Sequence, residues 1–174
     1  MVQTVSNGAN IYKSAFAGQM EDVVLGGGYS NWPSNAASSS AYFANLVTSG
    51  VMTVSFDFFS ARGLQAIKGS DAAAATAFTS AGATANAWNL VNFVGGDPKE
   101  GTTWLYTKNG PTTVPTTAGA ITLQSTIEPF GDAGMVAVLK GGSAFSLKGK
   151  QLTGEFMNPA QAPAAGITLT VVGP

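Results

Sequence analysis

The chain of 174 residues carries 8 basic and 9 acidic residues, no histidine and no cysteine, and 45% of it is hydrophobic. Charged residues make up 10%, against about 25% in a typical soluble domain. So little charge leaves no basic face for nucleic acid, and so much apolar content excludes a disordered chain.

The length suits a single domain over 1–174, with enough chain to bury a core without disulfides or metal. Met1 to Asn10 is polar, with Val2, Thr4 and Val5 as β-compatible residues, and reads as an extended N-terminal arm over 1–14. It has no apolar stretch of signal-peptide length, and no run in the chain approaches the ~18 apolar residues of a membrane span. The expectation is a protein used without secretion through a signal peptide and without a membrane. Gly26 to Gly28 is a loop, followed by Tyr29-Ser30-Asn31-Trp32-Pro33. Tyr29 and Trp32 fit three roles: a plug at one end of the core, an anchor for a protein partner, or a stacking platform for a sugar. Residues 35–48 fit either a helix capped by Ser34 or a loop.

Met52, Val54, Phe56 and Phe58 alternate with Thr53, Ser55 and Asp57, which predicts a half-buried strand over 51–59. Ser70 as N-cap and Asp71 at the positive helix end open an alanine-rich helix that Gly82 stops. Trp88 and Trp104 sit in apolar segments and read as core. Gly95 to Pro98 is a loop. Trp104 to Thr107 reads as a strand ending at the turn Lys108-Asn109-Gly110. Further short strands are expected at Ala120–Ile127, Met135–Leu139, Ala144–Leu147, Leu152–Phe156 and Ile167–Val172. The last hangs on the uncharged, proline-bearing tether that starts at Asn158, so 159–174 reads as a Pro-tethered C-terminal strand. Ile167, Leu169 and Val171 share one face of it. Short strands with turn signals every ~8–12 residues predict a mainly β domain: a β-sandwich, jelly-roll or barrel with one or two short helices.

Without histidine and cysteine there is no thiol chemistry, no Ser-His-Asp arrangement and no zinc or iron site of ordinary type. Glu21, Asp22, Asp57, Glu128, Asp132 and Glu155 are the carboxylates to weigh for acid-base work, and they read as solvated surface. Asp97 with Glu100, and Glu128 with Asp132, lack the oxygen density of a calcium loop. The glycines at 26–28 lack the spacing of a phosphate cradle. The expectation is no enzyme, no cofactor and no metal.

The start Met1-Val2-Gln3-Thr4-Val5, the polar stretch leading to Ala15-Phe16-Ala17-Gly18-Gln19, the Ala/Gly/Thr-rich strands and the Pro-tethered final strand together resemble small structural proteins of tailed-bacteriophage virions. The likeness is to capsid decoration, or cement, proteins. It implies a β-sandwich, barrel or jelly-roll on the outer capsid lattice, assembled in the host cytoplasm. It also implies a homo-oligomer, dimer or trimer, that clamps neighbouring major capsid proteins. Partner contacts are then expected from Tyr29 and Trp32, from Val2 and Val5 in the arm, and from Ile167, Leu169 and Val171 in the last strand. The competing readings are a carbohydrate- or receptor-binding β module, resting on Tyr29 and Trp32, and a tail or baseplate subunit.

Overall fold

A computed structural model describes residues 1–20, 36–94, 99–157 and 166–174. Its centre is one antiparallel sheet of five strands: β1 (Trp88–Val94), β2 (Thr103–Thr107), β3 (Met135–Leu139), β4 (Ala144–Leu147) and β5 (Thr168–Val172), in the order β4-β3-β2-β1-β5. Four helices accompany it: α1 (Val2–Met20), α2 (Ser39–Thr48), α3 (Ala72–Ala81) and the single turn α4 (Gly154–Met157). Four of the expected strands are present as β2 to β5, β1 is not singled out from the sequence, and the architecture is mixed α and β. The sheet is open, and no second sheet lies on it among the described residues, so it is not a barrel and takes no sandwich or jelly-roll form there.

The pairing register decides which residues share a face, because directly opposed residues point the same way. Leu90 lies opposite Leu105 and Val172, and Leu105 opposite Val138. These share the helix-covered face with Trp88. Val91 lies opposite Val171, and Phe93 opposite Leu169, on the other face. Thr112, Gln124 and Ile127 of the chain between β2 and β3 lie beside Asn89 and Val171 on that second face. A bulge between Thr103 and Leu105 puts two β2 residues against one step of β3. Trp104, at the bulge, meets Tyr12 of α1 edge-on at 5.9 Å and Tyr42 of α2 at 6.4 Å. Every residue of β2 and β3 is buried, as expected for strands covered on both sides.

Helix α1 replaces the expected extended arm over 1–14. Thr4, Asn7, Gly8, Ile11 and Ala15 are buried at helical spacing. A Cβ on Gly8 would lie 2.8 Å from Val138 Cγ2 and 3.0 Å from the Trp88 ring, so glycine sets how closely α1 approaches the sheet. Helix α2 is capped by Ser38, four residues after the expected Ser34, and Ser38 Oγ accepts from Ala41 N at 3.1 Å. A buried polar cluster fastens it to β1. Ser39 Oγ donates to the Trp88 carbonyl at 2.7 Å, and Asn86 Nδ2 donates to Ser39 Oγ at 2.9 Å and to Ser40 Oγ at 3.0 Å. Helix α3 lies where the sequence indicates and ends at Gly82, but its cap is Asp71, one residue after the expected Ser70.

Three expected strands are corrected. Residues 51–59 find no partner strand; a 3-10 turn at Phe56–Phe59 carries the aromatics instead. Three-residue spacing brings Phe56 and Phe59 to one side of such a turn. There Phe59 stacks on Phe43 at 4.6 Å and Phe56 on Phe78 at 5.0 Å, joining α2 and α3. Met52 and Phe56 are buried as expected, whereas Val54 and Phe58 are half-buried. Residues 120–127 form one isolated bridge, Ala120 with Thr153, and are otherwise irregular chain. Residues 152–156 supply that bridge and then enter α4.

Candidate functional site

Tyr29 and Trp32 lie outside the described residues, as do the tether at 159–165 and Asp97. The other expected contact residues occupy two separate places. Val2 is 87% exposed on the first turn of α1, while Val5 is half-buried against the core. Helix α1 packs over β3 and β4, so this pair lies towards one end of the sheet. Ile167, Leu169 and Val171 lie at the other end, in and just before β5. Leu169 and Val171 are half-buried and pack on the core of their own chain. Residues 168–172 join β1 of that chain, and Ser39 N donates to the Gly173 carbonyl at 2.8 Å, tying the end of the strand to the start of α2.

Strand β5 ends the sheet, so among the described strands it has one neighbour only. Its Thr168 and Thr170 are exposed. The stretch Thr168-Leu169-Thr170-Val171-Val172 contains no charge and no proline, and its register against β1 runs without a shift. The opposite end differs: β4 is followed directly by Lys148 and then Lys150, and α1 packs beside it.

The second feature is Lys108, which follows β2 directly. Its turn is the one the sequence indicates, with Gly110 N donating to the Thr107 carbonyl at 2.9 Å. The chain beyond does not pair back as a hairpin, because β2 is flanked by β1 and β3. Asn109 is buried and donates through Nδ2 to the carbonyls of Gly131 and Gly134, at 2.7 and 2.8 Å. Gln124 Nε2 donates to the Gly110 carbonyl at 2.8 Å and to the Lys108 carbonyl at 3.2 Å. These bonds hold the covering layer over Lys108, which is 8% exposed. Its Nζ donates to the Ala83 carbonyl, and it makes no ion pair among the described residues. Burial lowers its pKa to about 8, with Glu128 pulling weakly the other way.

Two clefts meet at Lys108 and Ile127. One, of about 370 Å³, runs between Leu64, Thr84, Thr126 and Glu128. The other, of about 340 Å³, runs between Asn89, Thr112, Gln124 and Val171. The sequence passes over Lys108 because the Asn-Gly step that follows already accounts for it as a turn residue. The available signal was its place directly after the aromatic-rich segment Trp104–Thr107.

No group of three or more metal-ligating side chains occurs among the described residues, and no helix there is long and apolar enough to cross a membrane. Of the carboxylates weighed from the sequence, Glu21 and Asp22 lie outside the described residues, and Asp57 pairs with Lys68 at the surface, a bond that lowers its pKa. No protein-family model, curated protein or solved structure matches the chain.

Proposed function

We propose that this chain is a non-enzymatic structural protein of a virion, a decoration or cement subunit that adds backbone pairing along the free side of β5. Its partners are the major capsid protein and copies of itself. The observation that carries the reading is the character of β5. An exposed strand normally bears lysine, proline or a bulge, because an unprotected edge recruits another strand. Thr168–Val172 bears none of these. A bare edge of this kind is a joint where a partner always covers it. Pairing through backbone hydrogen bonds varies little with salt, whereas charge pairs are screened. The sparse surface charge supports the same reading, since such subunits repel one another weakly.

Placing a charge on the edge tests this. Thr170 is exposed, so Thr170→Lys should change stability by no more than about 0.5 kcal/mol while guarding the strand against pairing. The expected outcome is a folded chain whose larger assemblies disappear in sedimentation velocity. A variant that assembles as the wild type does would contradict the β5 joint.

A further inference from the structure

Lys108 and Glu128 bring opposite charges to one cleft without pairing there. Lys108 is 8% exposed, and its Nζ donates to the carbonyl of Ala83, a residue of the cleft wall. An ammonium has three donors, and among the described residues no second hydrogen bond or ion pair uses the others. Glu128 is exposed at the same cleft. Its carboxylate lies against Gly63, where a Cβ would stand 3.0 Å from Glu128 Cδ and Oε2. Gly63 holds a φ of 92°, a left-handed conformation that glycine takes freely. The two charges thus sit on different parts of the wall, one at Ala83 and one at Gly63. They lie beyond ion-pairing distance, yet near enough for Glu128 to act on Lys108. A buried cation without a paired counter-charge is costly, and the lowered pKa of Lys108 registers that cost. Leu64 and Ile127 add apolar wall. The volume, about 370 Å³, falls within the range of small-molecule sites, which combine apolar walls with a few fixed polar groups.

A simple anion in this cleft would be repelled by Glu128, and a simple cation by Lys108. A ligand with one charge of each sign satisfies both. We propose that the cleft binds a zwitterionic amino acid with an apolar side chain, its carboxylate on Lys108 Nζ, its ammonium on the Glu128 carboxylate and its side chain on Leu64 and Ile127. No β5 residue lines the site, and it does not depend on the assembly reading. Charge-assisted bonds are stronger than neutral ones, so removing either charge from the ligand should weaken it. The buried Lys108 end should matter more than the exposed Glu128 end, where solvent screens the pair.

Free leucine and two analogues are suitable probes, titrated calorimetrically into the full chain at neutral pH and fixed ionic strength. Isocaproate keeps the carboxylate and lacks the ammonium; isoamylamine keeps the ammonium and lacks the carboxylate. Leucine is expected to bind at one site, about tenfold or more tighter than isoamylamine and about threefold or more tighter than isocaproate. Lys108→Met should lose leucine binding. That variant removes a buried group and can fail to fold, whereas Glu128 is exposed, so Glu128→Gln should fold as the wild type does. In Glu128→Gln the preference for leucine over isocaproate should shrink to about twofold or less. No binding of leucine, equal binding of leucine and either analogue, or a preference over isocaproate that survives Glu128→Gln would each overturn the proposal.

Discussion

Lys108 makes stability depend on pH in a direction set by its burial. The folded chain releases its proton near pH 8, and the unfolded chain near the ordinary lysine value of 10.5. Between these values the unfolded state holds one more proton, so raising the pH favours the fold. Tyr42 and Tyr106 act oppositely, because burial pushes both phenols above the ordinary 10.0. Above that value the unfolded chain loses phenolic protons that the folded chain keeps, and stability falls. The urea midpoint should therefore climb from about pH 8 to about pH 10 and decline beyond. Lys108→Met should abolish the climb and keep the decline; a climb that survives the substitution would contradict the assignment. Gly8 offers a second test at this scale. Alanine is the better helix former by about 1 kcal/mol. Its Cβ would nonetheless meet Val138 and Trp88, which are both buried. Gly8→Ala is expected to destabilise the fold by about 1–3 kcal/mol in urea unfolding. A gain in stability would show that α1 can lift off the sheet at no cost.

Among the elements, legibility followed whether a local pattern agreed with what the rest of the chain offered. Helix α3 was legible because its cap and stop are local: Asp71 Oδ1 accepts from Ala74 N at 2.8 Å, and Gly82 takes a φ of 49°. Removing that cap, Asp71→Ala, should cost about 1 kcal/mol in thermal or urea unfolding; no loss would mean the helix is held by packing alone. Strands β2 to β5 were legible as apolar or alternating runs between turn residues. Helix α1 was not, because its buried face is Thr4, Asn7, Gly8, Ile11 and Ala15. Only Ile11 is large and apolar, so the helical period is written in small and polar residues that a hydrophobic pattern does not register. Residues 51–59 misled in the opposite way. Their alternation suits a strand, yet an aromatic cluster with Phe43 and Phe78 was available and no strand edge was. The candidate sites divide likewise. The apolar face of β5 was readable, but its pairing with β1 required the fold. The cleft between Lys108 and Glu128 draws its wall from separate stretches between residues 63 and 128 and has no sequence signature.

At the scale of the whole molecule, low charge and, among the described residues, an open sheet with an uncharged edge strand support the proposed reading as a subunit that partners cover. Under that proposal a partner strand would complete backbone hydrogen bonds along the side of β5 that no described strand pairs. Under this account the protein gains stability from its lattice and gives stability to it, since any partner that binds only the folded form does so. The direct measurement is co-sedimentation of the chain with empty shells of a candidate major capsid protein, followed by thermal disruption of the washed shells. The account predicts saturable binding at a fixed ratio to capsid subunits, a higher disruption temperature for decorated shells, and loss of both with Thr170→Lys. Shells that leave the chain in the supernatant, or that bind it without any gain in disruption temperature, would contradict it.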